Sequence, residues 1–407
     1  MPHPIHLMPK PAGSMCNLNC EYCYYLEKKN LYTSSPRQEM SDQLLERYIQ
    51  QYIETQTAEE VLFTWHGGEP LIRPISFYEK ALELQQKYAN GKKIGNALQT
   101  NGTLLTNEWA QFLRTHGFLV GISIDGTQEM HDRYRLSRSG RGTWKQVMQG
   151  IEIANRNGLE WNAMAVVNNF NADKPKEFYN FFKQIDCRYI QFTPVVERFF
   201  LHPDGRRLAS PIEGITTAQM APFSVRPEQW GCFLCAVFDE WVRHDVGQVF
   251  IQLFDATLAG WMGVTPGVCT MAETCGHATA IEHNGDVYAC DHYVFPEFKL
   301  GNLMEKSLGE MLFSPEQIEF GENKRRLLTQ QCRECEWRHA CHGDCPRTRF
   351  TTSRDGENGH PYLCEGWQQY FSHVAPAMDF MKRQLLVNLP PQAVMRAIHR
   401  LYPEQQV

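Results

Sequence analysis

Cys16-Asn17-Leu18-Asn19-Cys20-Glu21-Tyr22-Cys23 sets three thiols within eight residues, spaced C-x3-C-x2-C. A cubane [4Fe–4S] cluster takes four thiolates, one per iron, so three in one short loop hold three irons and leave the fourth iron open. A zinc site with a distant fourth ligand, or unconnected core thiols, are the competing readings. Neither explains the glycine-rich stretch His66-Gly67-Gly68-Glu69-Pro70 about 45 residues downstream.

Working outward, the chain has 407 residues, of which 43% are hydrophobic and 21% charged, a globular balance rather than a disordered one. Net charge is −6 with no long basic run, which leaves no footprint for nucleic acid. No stretch reaches the 18 or so apolar residues of a membrane span. Met1-Pro2-His3-Pro4-Ile5-His6-Leu7 lacks the charged and apolar regions of a secretory signal, so a cytoplasmic protein is expected. In a reducing compartment, 14 cysteines point to metal or catalysis rather than disulfides.

Residues 1 to about 200 alternate strand and helix. Apolar or β-branched runs fall at Ile5–Met8, Val61–Trp65, Ile94–Leu98, Phe118–Ile124, Asn162–Val167 and Tyr189–Thr193. Between them, Trp109, Phe112 and Leu113 mark one helical face that Gly117 is placed to end, and residues 142–156 mark another. Six such units predict an α/β fold with a parallel sheet, as a curved partial barrel or an open doubly wound one. In either, ligands sit beyond the carboxyl ends of the strands. That rim is where Met15–Tyr25, His66–Pro70, Gln99-Thr100-Asn101-Gly102 and Ser123-Ile124-Asp125-Gly126 fall.

Residues 200–226, rich in Pro, Gly and Ser, read as a connecting excursion, and 227–263 as mostly helical. Ala280–Tyr288 reads as a hairpin in which Asn284-Gly285 supplies a type I′ turn. The tail from about 370 reads as helical. In this last third lie Cys269, Cys275, Cys290, Cys332, Cys335, Cys341, Cys345 and Cys364, two complete sets of four thiols. From spacing alone, two zinc ribbons remain open as an alternative to iron–sulfur clusters.

The C-x3-C-x2-C loop, with Tyr22 before its third cysteine, followed by Gly67-Gly68-Glu69-Pro70 after the second strand, resembles the radical S-adenosylmethionine (SAM) superfamily. The resemblance implies a partial (β/α)6 barrel whose open iron chelates SAM. It also implies one-electron cleavage of SAM to a 5′-deoxyadenosyl radical that takes a hydrogen atom from an unactivated carbon. The glycine loop receives the methionine amino group there, which suits glycine backbone that approaches closely and offers carbonyl acceptors.

The later cysteines are similar to the SPASM extension of that superfamily, which houses two auxiliary [4Fe–4S] clusters. Carried over by position, Cys269, Cys275, Cys290 and Cys345 hold the first and Cys332, Cys335, Cys341 and Cys364 the second. The domains expected are a barrel over 1–226, a helical bridge over 227–264, a SPASM domain over 265–370 and a helical tail over 371–407.

Within the superfamily, Met15–Tyr25, His66–Pro70, Leu98–Thr103, Gly121–Gly126 and Tyr288-Ala289-Cys290-Asp291-His292-Tyr293 resemble the anaerobic sulfatase-maturating enzymes. The resemblance implies oxidation of a Cys or Ser, within a C/S-x-P/A-x-R motif of a sulfatase, to formylglycine, with SAM and three [4Fe–4S] clusters. It also implies an anaerobic setting and a flavodoxin- or ferredoxin-like electron donor. Asp291 stands where the family places its proton acceptor. Beside cluster thiolates its pKa is expected to rise, making it a better base. Tyr22, Gly68, Ser123, Arg135 and Val196 match SAM-contacting positions, and Gln99, Asn101 and Asp125 share the rim.

His66 is expected to pack structurally, and Cys187, Cys232 and Cys235 to be core thiols. A SPASM enzyme forming thioether or carbon–carbon crosslinks in a ribosomal peptide is the alternative. Such enzymes often carry an N-terminal winged helix, for which the 15 residues before Cys16 are too few.

Overall fold

The computed structural model describes residues 5–32, 38–202, 205–214 and 217–402. Met1 to Pro4 of the signal-peptide argument, residues 203, 204, 215 and 216 of the predicted connection, and the end of the tail lie outside these. Two compact units divide the chain, and both are discontinuous in sequence.

The first unit takes residues 1–124, 131–162 and 275–323. Its strands Glu60–Trp65, Lys93–Thr100 and Leu119–Ser123 run parallel, with Val61 opposite Ile94 and Leu98 opposite Val120. Helices Asp42–Thr55, Ile75–Tyr88 and Asn107–Thr115 alternate with them. The last begins where the Thr106 hydroxyl accepts the Trp109 N–H at 3.2 Å, and Gly117 at φ +64° lets the chain leave it.

The first predicted strand forms at His6–Pro9, but its hydrogen-bonded neighbour is Ala278–Ile281, in parallel, not Glu60–Trp65. It thereby joins a second sheet with Asp286–Tyr288 and Lys299–Asn302. Leu7 and Ile281 are fully buried, so an apolar strand from the far end of the chain is what covers this edge. The hairpin is as predicted, but its turn is not. Asn284 keeps a negative φ and only Gly285, at φ +92°, is left-handed, a type I turn followed by a glycine bulge.

The second unit takes residues 125–130, 163–274 and 324–407. Here Trp161–Val167 (from Ala163 onward), Tyr189–Pro194 and Phe250–Ile251 run parallel, with helices Pro175–Gln184, Pro227–His244, Gln252–Trp261 and Cys364–Leu386. The predicted excursion is not irregular. Arg198–His202, Gly205–Leu208 and Gln219–Met220 make an antiparallel sheet, because Phe199-Phe200-Leu201 supplies a β-prone run. No helix among the described residues is long and apolar enough to cross a membrane.

Candidate active site

The cysteine loop and the glycine loop are built against each other in the first unit. The N–H groups of Gly68 and Glu69 donate to the carbonyls of Gly13 and Met15, each at 2.8 Å. A Cβ on Gly68 would lie 2.0 Å from the Met15 carbonyl oxygen. That glycine is therefore required by the packing of two loops, and what the loop retains for a ligand's ammonium is its carbonyls.

Glu69 is fully buried and ties three segments together. Oε1 accepts from the Leu71 N–H at 2.9 Å and the Thr100 hydroxyl at 2.8 Å, and Oε2 from the Asn101 N–H at 2.8 Å. Burial outweighs these donors and pushes its pKa up to about 7. The Asn101 amide, aimed in turn at the cysteine loop, donates to Asn17 Oδ1 at 2.9 Å and reaches Cys16 Sγ at 3.6 Å. Asn101 thus supports the thiol loop instead of standing free on the rim. Burial raises the Cys16 thiol to about 11 and also raises that of Cys23, against which backbone donors and the Arg135 charge work.

Arg135 is buried with its guanidinium carbon 5.4 Å from the Tyr22 ring centroid, so these two predicted residues meet. Ser123 is buried at the end of its strand. Val196 and Asp125 belong to the second unit, where both are buried. Asp125 Oδ1 accepts the Val166 N–H at 2.9 Å, which turns this rim residue to fastening a strand.

Asp291 is buried beside residues that sequence reasoning passed over. Its Oδ1 pairs with the ammonium of Lys10, and its Oδ2 accepts from the Tyr24 hydroxyl at 2.6 Å. Lys10 Nζ also stands 2.7 Å from His66 Nδ1. Burial alone would raise the Asp291 carboxyl, but Lys10, His66 and His292 outweigh it and hold it well below the usual carboxylate range. The direction is opposite to the rise expected from neighbouring cluster thiolates, and a lysine invisible to local spacing supplies the largest opposing charge. His66, expected only to pack, is partly buried and in contact with Lys10. Burial and that ammonium lower its pKa to about 4. The available signal was position, since Lys10 closes the first strand at its carboxyl end, as the recognised motifs close theirs.

Cys332, Cys335, Cys341 and Cys364 line one cavity in the second unit with Trp337 and Trp367. Burial raises the Cys364 thiol to about 12, and the charges of Cys332 and Cys335 add to it. Cys345 is raised to about 12 by burial and then by Cys269, the thiol whose charge it feels most. The buried Lys324 pins the Cys269 turn, donating to the carbonyls of Cys269 and Thr270 at 2.7 and 2.8 Å. Cys275 and Cys290 belong to the first unit. Of the expected core thiols only Cys187 is buried. Cys235 is half-buried and Cys232 exposed, because their face of the helix is not its apolar one.

By donor chemistry, three thiols in one loop and four lining a cavity are what iron–sulfur clusters take, while among the described residues no three of them are gathered to hold a single metal ion. The model of the radical SAM superfamily matches residues 11–182, and that of an iron–sulfur cluster-binding domain, SPASM, residues 269–336. A serine-type anaerobic sulfatase-maturating enzyme of Bacteroides thetaiotaomicron is 59% identical over 97% of this chain and 95% of its own. The chain belongs to the anaerobic sulfatase-maturating enzymes.

Other members of this radical SAM family show how widely the likeness extends. A cysteine-type anaerobic sulfatase-maturating enzyme of Clostridium novyi is 31% identical over 94% of this chain and 98% of its own. The solved structure of native anSMEcpe with bound AdoMet and Cp18Cys peptide superposes with a TM-score of 0.81 at 29% identity, covering 94% of this chain and all of that one.

Proposed function

We propose that this enzyme oxidises a serine of a sulfatase, within a C/S-x-P/A-x-R motif, to formylglycine. The carrying observation is the 59% identity, along nearly the whole chain, to a relative named as serine-type. SAM, held at a [4Fe–4S] cluster on Cys16, Cys20 and Cys23, supplies the radical that removes a Cβ hydrogen.

This chain's residues do the rest. The Gly68 carbonyl, Arg135 and Tyr22 receive the polar ends of SAM, with Ser123 and Val196 completing its seat. Asp291 takes the hydroxyl proton. Its carboxylate, held ionised beside Lys10, is in the form able to accept one, and the same cation makes it a weaker base than the sequence reading expected. Cys269, Cys275, Cys290 and Cys345 hold one auxiliary cluster and Cys332, Cys335, Cys341 and Cys364 another, a partition supported by the cavity the second set lines. Clusters held there would accept the second electron, and a flavodoxin- or ferredoxin-like protein in the cytoplasm would supply reducing equivalents.

The test uses anaerobic, cluster-reconstituted enzyme, SAM, dithionite and two peptides, Ser-x-Pro-x-Arg and Cys-x-Pro-x-Arg. The expected result is aldehyde on the serine peptide, matched by 5′-deoxyadenosine. Turnover of the cysteine peptide alone overturns the serine assignment. 5′-Deoxyadenosine with both peptides unchanged overturns the sulfatase reading.

A further inference from the structure

Lys10 has no accessible surface, and a buried ammonium is costly unless paired and hydrogen-bonded. The strand it ends does not need that side chain, because the pairing uses its backbone: the Lys10 N–H donates to the Ile281 carbonyl at 2.9 Å. The ammonium is spent on Asp291 Oδ1, on His66 Nδ1 at 2.7 Å, and on the face of Tyr25, whose ring centroid is 4.9 Å away.

An ammonium donates and cannot accept. Nδ1 of His66 must then be the acceptor, and the neutral ring carries its proton on Nε2. His66 also hydrogen-bonds the Gln99 side chain. On the acid, Lys10 takes Oδ1 while the Tyr24 hydroxyl takes Oδ2, so rotation of the carboxylate would break both bonds. Tyr24 is itself set against His292, with ring centroids 4.8 Å apart.

We propose that Lys10 is the positioning residue of the proton-transfer step: one buried cation fixes both the orientation of the Asp291 carboxylate and the tautomer of His66. The inference rests on Asp291 being the proton acceptor. Lys10 does not touch the reacting carbon; it acts through the acid. Losing it leaves radical generation intact and uncouples that event from product.

The experiment compares Lys10→Met, Lys10→Arg, Asp291→Asn and the Lys10→Met/Asp291→Asn double variant with wild type, using the reconstituted enzyme and the serine peptide. Iron content and SAM dissociation constant are measured beside formylglycine formed per 5′-deoxyadenosine. Lys10→Met is expected to keep iron and SAM binding, and to lose between about tenfold and a hundredfold in that ratio, in kcat rather than KM. Lys10→Arg, which keeps a cation, recovers part of the loss. The double variant falls no lower than Asp291→Asn, as expected when one residue acts through the other.

A wild-type ratio in Lys10→Met beside an inactive Asp291→Asn overturns the inference, and so do losses that multiply in the double variant. Near-wild-type product from Asp291→Asn overturns the acid assignment itself, a distinct result. Should Lys10→Met load less iron, Lys10→Gln, which keeps hydrogen-bond donors without charge, carries the test on the same ratio.

Discussion

The carbonyl oxygen of Met15 lies 2.0 Å from where a side chain on Gly68 would begin. The thiol loop and the glycine loop thus share one interface with no room for a methyl group. With the three clusters proposed above, Gly68→Ala is expected to push the loops apart and to cost the one assigned to Cys16, Cys20 and Cys23, while the two auxiliary ones persist. Iron analysis checks this, with a fall of about one third, four irons being lost per cubane. Full iron with normal SAM cleavage would show that the loops yield.

Asn101 offers its amide to Cys16 Sγ at 3.6 Å. Hydrogen bonds to cluster sulfurs stabilise the more negative, reduced state and raise the potential. Asn101→Leu is therefore expected to lower the potential of this cluster by tens of millivolts, on a scale of about 59 mV per tenfold for one electron. Redox titration followed by electron paramagnetic resonance measures it. A potential that stays put removes Asn101 from tuning.

Cys364 shares a cavity with three other thiols at the start of a long helix. Cys364→Ser is expected to lose or labilise that cluster alone and to suppress formylglycine more than 5′-deoxyadenosine. Mössbauer spectroscopy with product analysis separates the two effects. Intact iron and intact coupling would argue against an electron-transfer role for this set.

Glu69 holds its proton more tightly when folded, with a pKa raised to about 7 by burial. A raised carboxyl contributes stability that is complete below the unfolded pKa and is lost as pH rises through the folded one. Thermal unfolding under anaerobic conditions is expected to weaken from about pH 5 to about pH 7, at up to about 1.4 kcal/mol per pH unit. Glu69→Gln should flatten that slope. The same slope in both proteins would assign it to another group.

Chemistry carried by neighbours in sequence was legible: three thiols in one loop, glycines before Glu69, cysteines in counted sets. So were the parallel strands, whose apolar runs recur at the spacing of strand–helix units. What escaped depends on distance along the chain. Lys10 and Asp291 are 281 residues apart (291 minus 10), and a lone lysine after a strand has no spacing to betray it. The partner of His6–Pro9 was hidden for the same reason, since an edge can be covered from anywhere. At 198–202 the Pro, Gly and Ser of the surrounding segment masked a short strand run. At Asn284 the Asn-Gly pair suits two turns equally, and the chain adopts the longer loop.

The parallel pairing of His6–Pro9 with Ala278–Ile281 bears on how such proteins exchange parts. Asp291, the proposed proton acceptor, follows the strand Asp286–Tyr288 of the cysteine-rich extension and Lys10 follows the opening strand, in one sheet with Ala278–Ile281 between the two. A chimaera that replaces residues 265–370 as a block keeps all the cysteines proposed as iron ligands there yet inherits a foreign seam beside Lys10. Recombination between relatives would succeed only when the opening strand travels with the extension, so the two form a single heritable module although they lie far apart in the chain.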